Sequence, residues 1–213
     1  MLEGSTEDLF RNRSFGERVG HGSRPAVVVI DLQVGLTQPG FPLYGNHDEA
    51  ILATRRLVES AHKAEVPVVY TVVAYDRAEI ATSCYTILRK MPAMKDLIAG
   101  SECTRIDPRL PVGDNDIVLI KKGQSAFLGT PLGQILTGLG IDTLFVAGAN
   151  TSGCVRGSVM DATTLGYRVQ LVEECLGDVT KQVHDASIFD MDAKNGDLIS
   201  LKEASQILAG PTG

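Results

Sequence analysis

Two hydrophobic rhythms alternate along the chain. Short apolar runs rich in β-branched residues fall at Ala26–Leu32, Pro67–Ala74, Asp116–Lys121, Leu144–Ala149, Arg168–Glu173 and Asp197–Leu201. Runs of this length without polar alternation read as strands buried on both faces. Between them, apolar positions recur at helical spacing over Asp48–Ala64, Pro131–Leu139, Gly153–Leu165 and Lys181–Ala193, and Gly166 ends the third of these. Strands alternating with helices predict an α/β fold, a parallel sheet covered by helices on both faces. Residues 1–25 are polar and rich in glycine and arginine, which predicts a surface arm ahead of a single domain over 26–213. Segment Tyr75–Val112 carries neither rhythm and contains Pro92, Pro108 and Pro111. It is expected to be a long loop over the site or an interface element.

Composition narrows the function classes. The chain has 213 residues, 44% hydrophobic and 22% charged, which suits one soluble domain with a sizeable core. A net charge of −6 with no basic run argues against nucleic acid or an anionic membrane as partner. Met1–Phe10 is polar and acidic and lacks the apolar stretch of a secretory signal. Apolar runs such as Val66–Ala74 are far too short to span a bilayer. Cys84, Cys103, Cys154 and Cys175 are widely spaced with no C-x-x-C pair, so neither a disulfide framework nor a zinc cluster is expected. A reducing, cytoplasmic protein is the expectation.

In a parallel sheet, ligands bind beyond the carboxyl ends of the strands. Three reactive side chains stand at predicted strand ends: Asp31, Lys121 and Cys154. Cys154 also opens a predicted helix, where free N–H groups and the helix dipole favour thiolate over thiol. A cysteine nucleophile, a carboxylate to take its proton and activate water, and a lysine to hold both anions describe acyl transfer through a thioester. Backbone N–H groups between Asn150 and Cys154 supply an oxyanion site.

The motifs carrying these residues resemble the isochorismatase-like, cysteine-dependent amidohydrolases, most closely the N-carbamoylsarcosine amidase branch. The matching pieces are RSFGERVGHGSRPA (Arg13–Ala26), VVVIDLQ (Val27–Gln33), VLIKKGQSAFLGTPL (Val118–Leu132), AGANTSGCVRGSVMDA (Ala147–Ala162), ECLGDV (Glu174–Val179) and HDASIFDMDAKNGD (His184–Asp197). The resemblance implies a three-layer fold with a six-stranded, mainly parallel sheet. It implies an Asp31/Lys121/Cys154 triad, and the lysine four residues before Ser125 selects Lys121 over Lys122. It also implies a cis peptide between Ala149 and Asn150 that aims the Asn150 and Cys154 N–H groups at the oxyanion. The implied activity is hydrolysis of a small linear amide or N-carbamoyl compound with release of ammonia, needing no cofactor and no metal. Relatives are commonly homo-oligomeric, often tetrameric.

Gln33, Ser125, Phe127 and Arg156 are further candidates for the pocket. Two positions depart from the family pattern. Asn150 stands where many relatives have threonine, and Val179 stands where the branch has an arginine that binds the substrate carboxylate. Arg156 or a neighbouring subunit would have to replace that arginine, or the substrate lacks a carboxylate. Other readings compete. A free cysteine usually packs as a small hydrophobe, but the helix-start position favours a nucleophile. His184 would complete a cysteine–histidine dyad, yet it falls in a scaffold helix. Asn46-His47-Asp48 lacks a second histidine at ligand spacing and reads as surface loop. Alternative functions are a maleamate-type amidase, an isochorismatase-type vinyl ether hydrolase, and a non-catalytic binding protein.

Overall fold

A computed structural model describes residues 5–210; the ends of the expected arm and of the expected domain, 1–4 and 211–213, lie outside them. The strands are β1 (Pro25–Ile30), β2 (Val68–Val73), β3 (Ile117–Lys121), β4 (Thr143–Ala149), β5 (Arg168–Gly177) and β6 (Asp197–Ile199). The helices are α1 (Thr6–Arg11), α2 (Val34–Thr37), α3 (Asp48–Lys63), α4 (Arg77–Thr82), α5 (Ile87–Lys90), α6 (Leu132–Gly138), α7 (Arg156–Thr164), α8 (Lys181–Lys194) and α9 (Leu201–Ala209). The six strands form one sheet in the order β3-β2-β1-β4-β5-β6, and every pairing is parallel. The α/β expectation holds, with an all-parallel rather than mainly parallel sheet.

Side-chain alternation along β1 divides the core. Val27 and Val29 point to one face with Ile51, Leu57 and Leu208 from α3 and α9. Val28 and Ile30 point to the other with Leu132, Leu136, Val159 and Met191 from α6, α7 and α8. α3 buries Ile51, Thr54, Leu57, Val58 and Ala61, one stripe at helical spacing. No helix among the described residues is long and apolar enough to cross a membrane.

Three elements differ from the hydrophobic pattern for local reasons. β6 stops at Ile199 because the Ser200 side chain accepts the Glu203 N–H and starts α9, a helix the pattern did not predict. β5 runs past the exposed Glu173 and Glu174 to Cys175 and Leu176, with a register irregularity against β4 between Val146 and Gly148. Segment 75–112 is not an open loop. It folds into α4, α5 and two 3-10 turns, Pro92–Asp96 and Glu102–Thr104. These enclose a third apolar cluster of Leu36, Val73, Tyr75, Leu88, Leu97 and Cys103.

The segment before β1 includes α1, also unexpected, capped by Ser5. Its later residues are tied to the sheet. Val19 and Gly20 N–H groups donate to Asp197, and Ser23 and Arg24 N–H groups donate to Asp142.

Strand order reverses between β1 and β4. The crevice outside their carboxyl ends is where a parallel sheet offers a ligand site, and the three reactive side chains converge beside it.

Candidate active site

β1 delivers Asp31. Its φ is +52°, a left-handed conformation that residues other than glycine rarely adopt. Two bonds to β2 hold it there. The Asp31 N–H donates to the Thr71 carbonyl at 3.1 Å, and the Thr71 hydroxyl donates to Asp31 Oδ1 at 2.7 Å. Strained backbone of this kind concentrates at functional sites. The turn also ends β1 at Ile30, one residue before the reactive group.

Lys121 closes β3, two strands away, and its long side chain crosses the end of β2. Its Nζ lies 2.7 Å from Asp31 Oδ2, and both side chains are fully buried. The same ammonium donates to the carbonyls of Gly123 and Gln124, at 2.7 and 3.0 Å, and to Cys154 Sγ at 3.3 Å. Lys122 turns the other way and pairs with Glu79 at 2.6 Å.

Cys154 follows β4. Gly148, at φ +130°, lies against β1, where a Cβ would come within 2.1 Å of the Ile30 carbonyl oxygen. No other residue fits that approach. The Ala149–Asn150 peptide is cis. The Asn150 carbonyl then accepts the N–H groups of Gly153 and Val155, so that Thr151–Val155 winds as a π-helical turn into α7. π turns recur at functional sites. Ser158 steadies the turn: its hydroxyl donates to the Cys154 carbonyl at 2.7 Å and accepts the Ala126 N–H at 2.9 Å.

The electrostatics correct one expectation. Burial pushes the Cys154 thiol up to about 12, Asp31 adds to the rise, and Lys121 only partly opposes it. Burial thus favours the neutral thiol, against the helix-start preference for thiolate. Burial also works against the Lys121 ammonium, but the charge of the Asp31 carboxylate and hydrogen bonds to Asp31 and Cys154 outweigh it and raise its pKa. Beyond its contact with the ammonium, Asp31 Oδ2 accepts no hydrogen bond among the described residues. It has free capacity for the thiol proton.

A cavity of about 80 Å³ opens above this group, and Cys154 is the one member of the three that lines it. Gly123, Gln124, Asn150 and Gly153 complete the floor. The opposite wall is apolar and comes from α2, the following loop and segment 75–112.

A family model of the isochorismatase domain matches residues 25–203. The chain belongs to the isochorismatase family. Among curated isochorismatase-family relatives it is 36% identical to a maleamate amidohydrolase of Pseudomonas putida, over 91% of each chain. It is 37% identical to an N-carbamoylsarcosine amidase of an Arthrobacter species, over 94% of this chain and 77% of that one. A solved cysteine hydrolase from Pseudomonas syringae shares the fold, with a TM-score of 0.83 at 20% identity, over 87% of this chain and 92% of that one.

The remaining sequence candidates fall outside the cavity of this isochorismatase-family hydrolase. Gln33 is buried and braces two segments: its amide donates to the Val73 and Cys103 carbonyls and accepts the Val73 N–H. Ser125 donates to Asp161 on α7 at 2.5 Å, and Phe127 stacks on Tyr167 with centroids 5.9 Å apart. Arg156 is held by Asp190 of α8 and does not line the sulfur's cavity. Val179 is 58% exposed. His184 shares a hydrogen bond with Thr151 at 2.9 Å rather than with Cys154. His47 is not on the surface: it is 2% exposed and packs against Gly45 and Gly177, where a Cβ would meet its ring nitrogens at 2.6 Å. Burial lowers its pKa. Thr71, which orients Asp31, and the apolar wall were missed. The threonine is hidden in an ordinary strand, and the wall is contributed by elements too short to show a period.

Proposed function

We propose that the chain is a cysteine-dependent amidohydrolase that cleaves a carbon–nitrogen bond of a small linear amide and releases ammonia. One observation carries the reading: a single buried ammonium lies 2.7 Å from the Asp31 carboxylate and 3.3 Å from Cys154 Sγ, beneath a cavity that the sulfur lines. Asp31 takes the thiol proton as sulfur attacks the amide carbonyl, so that no free thiolate need accumulate. The Asn150 and Cys154 N–H groups at the cavity floor hold the oxyanion. Asp31 returns the proton to the departing nitrogen, the C–N bond breaks, and a thioester stays on Cys154. Asp31 then takes a proton from water, hydroxide attacks the thioester, and the carbon–sulfur bond breaks as the thiol regains its proton. Lys121 balances the charge through both halves.

Similarity to an N-carbamoylsarcosine amidase supports N-carbamoyl compounds as substrates. Similarity to a maleamate amidohydrolase over 91% of both chains supports a second reading, cleavage of an unsaturated acid amide. Ammonia release from maleamate but not from N-carbamoyl amino acids selects the second. For the chemistry common to both, ammonia release by Cys154→Ala is expected to fall by at least ~10⁴-fold. For Asp31→Asn, whose amide accepts no proton, the expected fall is about 10³-fold. Near-normal turnover by Cys154→Ala overturns the mechanism.

A further inference from the structure

The cavity wall facing Cys154 is built from Leu36, Leu43, Ile87, Met91, Met94 and Leu97. Among the described residues that line the cavity, none carries a charge. The basic side chains on the same segment, Arg77, Arg89, Lys90, Lys95, Arg105 and Arg109, do not line it; the Arg89 Nε is engaged by the Ser83 carbonyl at 3.1 Å and Arg109 by Asp107. Below the floor, Lys121 already directs its ammonium at Asp31, two carbonyls and the sulfur, and is fully buried. Among the described residues of this chain, no cation lines the cavity. Arg156, held by Asp190, and the exposed Val179 do not supply one. A carboxylate pressed against this wall would lose its hydration without gaining a partner.

From this we infer that the chain is selective for uncharged amides with a short aliphatic acyl group, and that Met91 and Met94 help set that choice. The inference rests on the amidase reading and departs from the acidic substrates that the relatives' names describe. Volume limits the acyl group. The enclosed part of the cavity, about 80 Å³, suits a chain of a few carbons. Two methionines give the wall some adaptability, because thioether side chains repack easily. Met91 is 41% exposed at the rim and can be replaced by a long polar residue without opening the core.

The test compares near-isosteric pairs on the intact chain. Ammonia release is measured from butyramide and from succinamate, with maleamate and N-carbamoylsarcosine alongside. Binding of the same compounds to Cys154→Ser protein is measured by calorimetry. The expected result is a kcat/KM for butyramide at least ~100-fold above that for succinamate, with the same preference in binding. Met91→Arg is expected to narrow that ratio at least ~10-fold by offering the missing cation. Faster turnover of the acid amides, or tighter binding of them to Cys154→Ser, overturns the inference and leaves the amidase reading intact. Binding of butyramide without turnover of any amide sinks the amidase reading while the cavity's preference stands. An unchanged ratio in a folded Met91→Arg protein removes Met91 from the role.

Discussion

The floor and the wall of the cavity are built by opposite rules. The floor draws on the ends of β1, β3 and β4, the most regular part of the molecule. Its reactive groups are fully or largely buried, each fixed by bonds to backbone or to one another. The wall draws on two helices of four residues, α2 and α5, on the 3-10 turn Pro92–Asp96 and on the loops beside them. It holds its shape by a small apolar cluster and by polar braces, Gln33 being one and Asp107 another. In the second, buried Asp107 accepts the Thr37 hydroxyl of α2 at 2.7 Å and a bidentate pair of bonds from Arg109 at 2.8 and 2.9 Å. Rigid strand ends hold the charged groups to the tolerance that the proposed proton transfer needs. Short, loosely patterned elements leave the choice of substrate free to vary.

The contrast is broken most severely by removing the charge that organises the floor. Lys121→Met leaves a buried carboxylate without its cation and is expected to cost about 3–5 kcal/mol of folding stability, together with activity. Denaturant titration reads the first quantity. A stability loss below about 1 kcal/mol would mean that the floor is solvated and its burial is not what sets its chemistry.

Next in size is the chemistry of the thiol itself. With its pKa pushed up to about 12, Cys154 of the ligand-free protein should react with iodoacetamide at pH 7.5 at least ~10-fold more slowly than exposed Cys84. Its labelling should still be climbing at pH 10. Peptide mass spectrometry follows the two cysteines separately. Labelling of Cys154 that is complete below pH 8 would restore the thiolate expected from the helix start.

A smaller effect tests the Asp107 brace of the wall. Burial alone would raise the Asp107 pKa, but the Arg109 and Thr37 hydrogen bonds and the Arg109 charge outweigh it and hold it at about 2. A carboxylate depressed in this way contributes stability above its unfolded value near 4, and that contribution fades as pH falls toward 2. Its size is about 2 kcal/mol. Asp107→Asn should lose that amount at pH 7 and show a flatter stability profile between pH 5 and pH 2. An unchanged profile would assign the acid sensitivity elsewhere. Last, Met94→Ala should raise KM by about tenfold with kcat nearly constant, the signature of binding that does not change in the transition state. A fall in kcat alone would place Met94 in the chemistry instead of the wall.

The same contrast explains what could be read from the residues. Asp31, Lys121 and Cys154 were legible because each ends or follows a short apolar run, and the topology of a parallel sheet gathers strand ends. The family motifs added the order of the pieces. The wall was illegible because Ile87, Met91, Met94 and Leu97 sit on elements of one or two turns interrupted by Pro92, too short for a period to emerge. Arg156 looked free in the sequence because its partner, Asp190, lies 34 residues on in α8. The burial of the thiol is hidden in the residues for a related reason. A helix start is local and visible, whereas burial beside Asp31 depends on two strands meeting.

Cys154 as a covalent nucleophile is the centre of the account, and rapid-quench mass spectrometry tests it most directly. The enzyme is quenched in acid during turnover of whichever amide releases ammonia fastest, then digested. The expected result is an adduct of the acyl mass on the peptide containing Cys154, absent from Cys154→Ser protein, which should release no ammonia. Undiminished ammonia release by Cys154→Ser would contradict it.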